Sequence, residues 1–496
     1  MANRLLRTKS VDRLIAETQE PGKRLKKVLG PWALVALGIG AVIGTGVWVL
    51  SGTAALGTEV TVPSIWHAPV LDLLLHGADA TGTSGRPGAG PAIALSYILV
   101  AIACGFAALC YAELASMIPV AGSAYTYSYA TLGELAAWII GWDLVLEYAV
   151  SNSAVAVGFS GYLNSFLEIF GLRIPDAWSR AIFDASGNLT GAYFNLPAFL
   201  IVMILTVMLV QGIRETARAN NVMVLIKVAA ILLFIFGAAS YVSVDNLTPF
   251  APNGAQGVLT GAALVFFAYI GFDSVSTAAE ETRNPQKNMP FGIIATLIIC
   301  LVLYVGVAVV LTGIVPYTTI DPRAPVASAL KQLGLGWLEF WVTLGALMGM
   351  VSSLLVYQMG QARIWFAMSR DGLLPPAFSR VHARHQTPHI STWVAGLVVG
   401  ITAGIVDIDK LAELSNIGTL FAFALVCGAV MVLRRTRPDI RRAFRVPWSP
   451  VLPVLGILSC LILMISLPLS TWARFVVWLA LGLVIYFGYS RRHSRL

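Results

Sequence analysis

The chain has 496 residues, of which 57% are hydrophobic and only 12% are charged, and its mean hydropathy is +0.78. This composition excludes an ordinary soluble globular protein and indicates a chain embedded in lipid. The formal net charge of +8 requires no nucleic-acid partner, because basic residues of a membrane protein collect at the inner leaflet.

Apolar stretches of about 20 residues, the length that crosses a bilayer, recur along the chain. The sequence predicts an all-α membrane protein with twelve transmembrane spans, at residues 33–55, 91–117, 135–157, 196–211, 220–242, 258–280, 291–315, 338–366, 391–406, 413–433, 450–468 and 472–490. Residues 1–30 form a basic segment that lacks the apolar core of a removable signal peptide. We divide the rest into a core over 31–434, a final pair of spans within 435–490 and a basic tail over 491–496.

Most Lys and Arg residues lie in segments that face the same side when both termini are cytoplasmic. Cytoplasmic loops of membrane proteins carry this excess of basic residues. We therefore predict a multi-pass protein of a plasma membrane, the inner membrane of a bacterium given the compact chain, with both termini inside.

The first span contains four glycines between Gly38 and Trp48. Each glycine costs roughly 1 kcal/mol against alanine in a helix, and unpaired peptide groups at membrane depth cost several kcal/mol each. A broken helix therefore persists only where it is buried in protein or lines a polar cavity, as at a transport site. The alternative is a packing motif, Gly40-x-x-x-Gly44, through which two membrane helices approach closely.

The outer loop over residues 57–90 contains a short apolar stretch, residues 65–75, for which we predict a short helix on the outer face. No role for this loop follows from its sequence.

The sixth span is interrupted at residues 266–274 and is followed by the polar stretch 280–288. Spans one and six are five apart, and broken helices at matching positions of two five-helix halves are typical of inverted-repeat transporters. We predict a 5+5 inverted repeat with broken helices one and six, followed by two C-terminal helices.

Unwound peptide groups at these two breaks suit a zwitterion. We expect N–H groups of the first break, at Gly44, Thr45 and Gly46, to face a carboxylate, helped by the positive end of the following half-helix. Freed carbonyl groups near Val42, Phe267 and Ile270 would accept an ammonium group. An α-amino acid carries both charges.

Ionisable residues at membrane depth cost about 2.5 to 3.5 kcal/mol each and need a partner or a function. The sequence places Glu113, Asp143, Glu147, Lys227 and Asp273 in or at the ends of spans. We expect Glu113 to make a structural or gating contact near the inner interface. Asp143 and Glu147 are one helical turn apart; an acid that faces the pocket would suit a cationic side chain, and the alternative is an interhelical hydrogen bond.

Lys227 is the most informative of these residues. It lies about eight residues into span five, or about 12 Å at the helical rise, which is deep for its side chain to reach the surface. Because burial disfavours the charged ammonium, this group can gain and lose a proton during a transport cycle. The alternative is a fixed positive charge that stands where other transporters hold a sodium ion.

Several motifs together resemble the cationic amino acid transporter family, a branch of the amino acid-polyamine-organocation superfamily. They are Gly38-Ile-Gly-Ala-Val-Ile-Gly-Thr-Gly46, Cys110-Tyr-Ala-Glu113, Gly122-Ser-Ala-Tyr-Thr-Tyr127, Trp142-Asp143 with Glu147, residues 266–273, Ala279-Glu280-Glu281 and Ser369-Arg-Asp-Gly-Leu-Leu-Pro375. The resemblance extends from about Leu29 to the C-terminus.

The resemblance implies a set of site residues. Val42, Thr45 and Gly46 would contact the substrate backbone opposite Phe267, Ala268 and Ile270, with Phe267 as an aromatic gate. Glu147, Ser151 and Asp273 would lie at the side-chain end of the pocket. Lys227 would face span eight near Ser352, at the sodium-like position, and couple transport to protons.

Tyr357, on span eight, lies where a pocket-lining side chain is expected. A tyrosine there would shorten the pocket and favour small neutral amino acids, whereas Glu147 and Asp273 favour arginine or lysine. The side-chain preference therefore stays open in the sequence.

We thus predict proton-coupled symport of cationic or small neutral L-amino acids by alternating access, with an exchanger or a non-transporting sensor as alternatives. An enzyme is disfavoured because the chain has no His-Glu-x-x-His and no Gly-x-Ser-x-Gly motif. We expect no metal and no cofactor, since the proton gradient drives the cycle. The expected partners are the substrate and membrane lipids; a small accessory membrane subunit stays open.

Overall fold

The structure is a computed structural model that describes residues 7–9, 29–59, 64–77, 85–120, 123–184, 187–211, 216–382 and 387–495. Most of the basic segment 1–30 and part of the outer loop 57–90 lie outside these residues.

The described chain is mainly helical. Its α-helices are α1 (Pro31–Val42), α2 (Ser51–Leu56), α3 (Val70–His76), α4 (Ile93–Met117), α5 (Ser123–Thr131), α6 (Glu134–Glu168), α7 (Asp176–Ser179), α8 (Leu196–Gln211), α9 (Thr216–Ala238), α10 (Gly254–Val265), α11 (Pro285–Ile314), α12 (Pro325–Gln332), α13 (Gly336–Arg370), α14 (His389–Ile405), α15 (Ile408–Thr436), α16 (Val451–Ile465), α17 (Leu469–Ile485) and α18 (Arg491–His493). Two π-helices cover Gly46–Leu50 and Tyr486–Ser490, and 3-10 helices cover Gly90–Ala92, Ala239–Tyr241, Val244–Leu247, Phe266–Tyr269, Phe272–Glu281, Tyr317–Thr319 and Pro376–Ser379.

Within the described residues, seven helical segments are long and apolar enough to cross a membrane, and the bent pair Pro31–Val42 and Gly46–Leu56 makes an eighth. Helices α8, α14 and α16 are shorter but apolar, and α6 is 35 residues long. These helices coincide with the predicted spans. The chain is a multi-pass helical membrane protein, and the count of twelve and the repeat stay predictions.

The helices pack around a core that contains both interrupted spans. Helix α11 packs along α4 and α1, α6 packs along α13 and α15, and α9 packs along α13. This arrangement surrounds the residues that follow α1 and α10 with other helices, so non-helical backbone at membrane depth is buried in protein.

The loop 57–90 forms a short helix, α3, and a two-stranded hairpin that the sequence did not predict. Strand β1 (Gly57–Glu59) pairs antiparallel with β2 (Gly85–Pro87). The guanidinium of Arg86 lies 3.3 Å from Asp409 and 3.4 Å from Glu413, and all three side chains are buried. An ion pair between buried side chains therefore fastens the loop to the start of α15.

The described terminal segments lie at one end of the bundle. Lys9 pairs with Asp371 at 3.7 Å, and the N–H of Arg495 donates to the carbonyl of the same aspartate at 3.1 Å. Glu113, at the end of α4, pairs with Arg434 and with Arg442. The contact predicted for Glu113 is thus an ion pair with the last turn of α15 and the segment after it.

Candidate functional site

The first span breaks at its glycine cluster. Helix α1 ends at Val42, Ile43 is extended with φ −80° and ψ 90°, and the chain resumes as the π-helix that begins at Gly46. The two halves are inclined by 49°. A helix end leaves backbone groups without intrahelical partners, so peptide groups at this break are open to side chains and ligands.

The sixth span breaks at Ile270 and Gly271. The chain passes from α10 through a 3-10 turn, Phe266–Tyr269, to a second 3-10 helix, Phe272–Glu281. Gly271 between them has φ +113°, a conformation open mainly to glycine. This glycine lets the backbone turn at the predicted position.

The two breaks lie against each other. A Cβ atom on Gly46 would stand 2.3 Å from the Cα atom of Ala268, so glycine is required for the close approach of the two backbones. The hydroxyl of Tyr304, on α11, lies 2.8 Å from the carbonyl oxygen of Ala268 and 3.2 Å from that of Val42. One tyrosine therefore joins both interrupted spans.

Lys227, on α9, contacts the end of α1. Its Nζ donates to the carbonyl oxygens of Gly40 at 2.7 Å and Ile43 at 2.9 Å, and the side chain is fully buried. Carbonyl groups at a helix C-terminus carry partial negative charge. The ammonium therefore acts as a cap on the first half of the broken helix.

Span eight meets the same carbonyl groups through Ser353 rather than Ser352. The Ser353 hydroxyl lies 3.2 Å from the Gly40 oxygen and 3.0 Å from the Ile43 oxygen. Ser352 instead donates to the side-chain oxygen of Asn220 at 2.7 Å. Lys227 therefore lies beside span eight, and Ser353, the neighbour of Ser352, is the hydroxyl that shares its two carbonyl acceptors.

Tyr357 holds the second break. Its hydroxyl donates to the carbonyl oxygen of Ile270 at 2.9 Å, and its ring meets the ring of Tyr148 edge-on with centroids 5.8 Å apart. The carbonyl groups of Val42 and Ile270, which we expected to face an ammonium, thus each accept a tyrosine hydroxyl here.

Acidic side chains gather beside the breaks. Glu147 and Asp273 are buried and close enough to interact electrostatically. Ser123 donates to Asp273 at 3.4 Å. Asp143 packs instead against Gly418, where a Cβ atom would lie 2.5 Å from the carboxylate. The structure therefore brings Glu147 and Asp273 together, with Asp143 against α15.

Some predicted site residues keep unused polar atoms. The hydroxyl of Thr45 and one carboxylate oxygen of Asp273 are buried and have no hydrogen-bond partner among the described residues. Ser151, in contrast, shares a 2.6 Å hydrogen bond with Ser415 on α15. Phe267 is buried, next to Ala268. Thr45 and Asp273 thus have free capacity for a ligand.

A vestibule of about 430 Å³ opens near the first break. Its floor includes Val49 and Gly158, and a Cβ atom on Gly158 would stand 2.1 Å from the Thr45 side chain. Its rim is charged, with Arg180, Asp184, Asp321, Arg323, Asp407 and Asp409. The vestibule is also lined by Gly57 and Thr58 of β1 and by Ile408 at the start of α15, and it reaches Thr45 only through the packing of Gly158.

Burial and the neighbouring Asp409 carboxylate raise the pKa of Asp407, which precedes α15, to about 7. Its side chain also accepts a hydrogen bond from the N–H of Asp409 at 3.0 Å and so caps the helix. The rim of the vestibule thus contains a carboxyl group that changes charge near neutral pH.

Sequence reasoning missed three polar residues that hold the breaks: Tyr304, Ser353 and Asn416. Asn416, on α15, donates to the carbonyl oxygens of Ala263 at 2.7 Å and Leu264 at 3.0 Å. Their only signal in the sequence is a hydroxyl or amide in the middle of an apolar span, where a hydrogen-bond partner is required.

Comparison with known proteins identifies the family of this chain. Residues 29–486 match the amino acid permease family. The chain is an amino acid permease family member. It is a transporter rather than an enzyme, and the resemblance to the superfamily that contains the cationic amino acid transporters is confirmed.

Among its relatives, this permease is 48% identical to the branched-chain amino acid permease BcaP of Bacillus subtilis (strain 168), over 100% of both chains. It is 46% identical to the methylthioribose transporter of the same organism, over 99% of both chains. It is 38% identical to the vacuolar cationic amino acid transporter 2 of Arabidopsis thaliana, over 88% of this chain and 64% of that protein. The relatives thus share the family but differ in the cargo that their names state.

Proposed function

We propose that this permease is a secondary transporter that carries L-amino acids across the plasma membrane by alternating access, in symport with protons. The observation that carries the proposal is the contact of the Lys227 ammonium with the carbonyl oxygens of Gly40 and Ile43, at the break of the first span. A titratable group there acts directly on the backbone that forms half of the site.

The substrate's charged ends are assigned to the two breaks. We assign the carboxylate to the first break at Gly44, Thr45 and Gly46. The Gly44 N–H, which we expected to face the carboxylate, donates to the carbonyl oxygen of Val42 at 3.0 Å, so the proposed donors are the N–H groups of Thr45 and Gly46. The Thr45 hydroxyl adds an unused donor, and the following half-helix adds a positive end. The ammonium binds toward Phe267 and Ala268. The close approach of the two backbones at Gly46 supports one ligand that touches both.

Protonation of Lys227 provides the coupling. The ammonium neutralises the negative end of α1 and holds the carbonyl groups of Gly40 and Ile43, which keeps the first half of the span in place. Loss of the proton removes the positive charge and weakens this hold, because hydrogen bonds from charged donors are the stronger ones. A proton that binds Lys227 from outside and is released inside thus first strengthens and then weakens the hydrogen bonds that hold the end of α1.

The preference for one amino acid over another depends on the side-chain end of the pocket, which we assign to Glu147, Ser151, Asp273 and Tyr357. The name of the branched-chain relative makes leucine, isoleucine and valine the first candidates, and the acidic pair keeps arginine and lysine in the panel. The methylthioribose relative supplies a further cargo to test. Methylthioribose has no carboxylate and no ammonium, so its uptake would not use the zwitterion contacts proposed here.

Uptake into proteoliposomes tests the proposal. Labelled leucine, alanine, arginine and methylthioribose are offered with and without an inward proton gradient. Accumulation of an amino acid above its equilibrium level only with the gradient is the expected result. Counterflow without response to the gradient would instead identify an exchanger, and saturable binding without uptake would identify a sensor.

A further inference from the structure

The end of α10 is held by a side chain in the same manner as the end of α1. Asn416 is fully buried on α15, and its amide donates to the carbonyl oxygens of Ala263 and Leu264. These two residues immediately precede Val265, the last residue of α10. The final carbonyl groups of a helix need partners from outside the helix or from a tighter turn.

Lys227 makes the equivalent contact with the first span. Its two acceptors, on Gly40 and Ile43, also flank the C-terminal end of a half-helix that leads into a break. At each break a nitrogen donor from a distant span thus contacts two carbonyl groups, and at the first break the Ser353 hydroxyl contacts the same pair. In the proposed repeat, α9 and α15 are spans five and ten, so the two donors come from corresponding spans.

The two donors differ in one chemical property. A lysine exchanges a proton, whereas the carboxamide of asparagine keeps its charge of zero at all physiological pH values. The second break is thus held by a group that a proton gradient does not alter.

We propose that Asn416 is the positioning residue of the sixth span, the non-titrating counterpart of Lys227. It fixes the end of α10, and through it the Phe267 and Ala268 half of the site, while Lys227 acts on the first span. The buried carboxylates of Asp273 and Glu147 lie beside the second break, and the Asn416 amide donates to backbone carbonyl groups rather than to either of them. The inference rests on the proposed function. It separates two roles: Asn416 sets the affinity for the substrate, and Lys227 sets the dependence on protons.

The test measures initial uptake of leucine, or of the best cargo from the panel above, by the wild type, Asn416→Leu, Asn416→Gln and Lys227→Met in proteoliposomes. Each protein is assayed across substrate concentrations and external pH values. Asn246→Leu is the matched control, because Asn246 donates its amide to the carbonyl oxygen of Gly313 at 2.8 Å in a loop segment away from both breaks.

We expect Asn416→Leu to raise KM about tenfold, since two hydrogen bonds to the span are lost, with the pH profile of uptake unchanged. Asn416→Gln retains the donor and should recover most of the affinity. Lys227→Met should show the opposite pattern, a lost response to pH. Asn246→Leu should match the wild type in both measurements.

A KM within twofold of wild type in Asn416→Leu, or a pH profile that moves with this substitution, overturns the proposal. If Asn416→Leu does not accumulate in membranes, Asn416→Gln becomes the test. A folded Asn416→Gln protein with a wild-type pH profile and a changed KM supports the positioning role. If neither variant accumulates in membranes, Asn416 is needed for folding alone, and the proposal is rejected. If the wild type itself shows no gradient-driven uptake, the proposed function fails. In that case leucine binding is measured by the leucine concentration needed to raise the Tm of the purified protein. If Asn416→Leu needs the same concentration as the wild type, Asn416 has no role in substrate affinity.

Discussion

The ammonium of Lys227 lies 2.7 Å from the carbonyl oxygen of Gly40, across 187 residues of sequence. A cation at the C-terminal end of a half-helix is favoured by the helix dipole. Here the cation is covalently part of the protein, so in the proposed mechanism the charge at this position changes by proton binding and release.

Replacing Lys227 with methionine keeps an unbranched side chain that is one atom shorter and removes its charge. We expect gradient-driven uptake to fall to background, because the break in the first span loses its proton-dependent cap. The measurement is uptake against external pH in proteoliposomes. Lys331→Met, which removes an exposed lysine that pairs with Glu168 at 2.7 Å, should behave as wild type. An unchanged pH dependence in Lys227→Met would contradict the assignment.

Gly46→Ala tests the contact between the two breaks. Its Cβ atom would stand 2.3 Å from the Ala268 Cα atom, so the two backbones must separate at a cost of about 1 to 3 kcal/mol. We expect a lower Tm and at least about tenfold slower uptake. The control is Gly428→Ala on α15, where nothing lies within 4 Å of the new methyl group; this variant should be as stable as wild type or more so. Equal uptake by both variants would refute the close packing.

Tyr304→Phe removes the hydroxyl that joins both breaks. The carbonyl groups of Ala268 and Val42 then lose a donor in a buried setting, which costs about 1 to 3 kcal/mol. We expect a lower Tm in detergent and a higher KM for the substrate. Tyr193→Phe, at a ring that is 68% exposed, provides the comparison, and an effect of equal size there would show that the loss is not specific to the breaks.

Arg86→Met should destabilise the protein through the outer hairpin. The substitution leaves the carboxylates of Asp409 and Glu413 buried without their guanidinium, and breaking a buried pair in this way costs about 3 to 5 kcal/mol. Glu413 still lies 4.0 Å from Lys410, so Asp409 is the carboxylate that loses its ion pair. The double variant Arg86→Met with Asp409→Asn should recover part of the loss in Tm, because that buried charge is removed. Arg173→Met, at a side chain that is 58% exposed, should have little effect. A double variant no more stable than Arg86→Met would exclude the buried charge as the cause.

The Asp407 carboxyl predicts a pH dependence of stability. Its pKa is raised from 3.8 to about 7, so the folded protein binds more protons than the unfolded chain between these values. Stability from this group is therefore present below about pH 4 and is lost as the pH rises through 7. Asp407→Asn keeps a capping residue before α15 and should show a smaller fall of Tm between acidic and mildly alkaline pH.

The comparison for Asp407 is Asp245→Asn, at an exposed aspartate near the start of a 3-10 helix. We expect its Tm to follow the wild-type curve across the same range of pH. If the wild type, Asp407→Asn and Asp245→Asn all gave superimposable curves, Asp407 would not be a group that loses its proton in this range.

The sequence predicted the two breaks and the buried lysine because each depends on a local cost. Glycines weaken a helix wherever they lie, and an ammonium at membrane depth needs a partner whatever the fold. The partners themselves were not predictable in this way. Tyr304, Ser353 and Asn416 meet their carbonyl acceptors only because helices distant in sequence approach one another, and a single polar residue in an apolar span does not reveal which helix it faces.

The outer hairpin escaped prediction for a different reason. Its strands are three residues each, too short for an alternating pattern to appear, and the anchor, Arg86, pairs with carboxylates more than 300 residues away. The assignment of Tyr357 to the pocket stays a prediction, and its hydrogen bond to Ile270 was not predicted, because that bond depends on the exact turn that Gly271 allows.

The ten-residue 3-10 segment Phe272–Glu281 is longer than an α-helix of the same residues would be. At about 2.0 Å per residue it extends about 20 Å, against about 15 Å for the same residues wound as an α-helix. Rewinding would shorten the inner half of span six by about 5 Å. Leu29 is hydrogen-bonded to Glu281 at 3.0 Å and to Arg283 at 2.9 Å, so the start of span one would be drawn along by the same contraction.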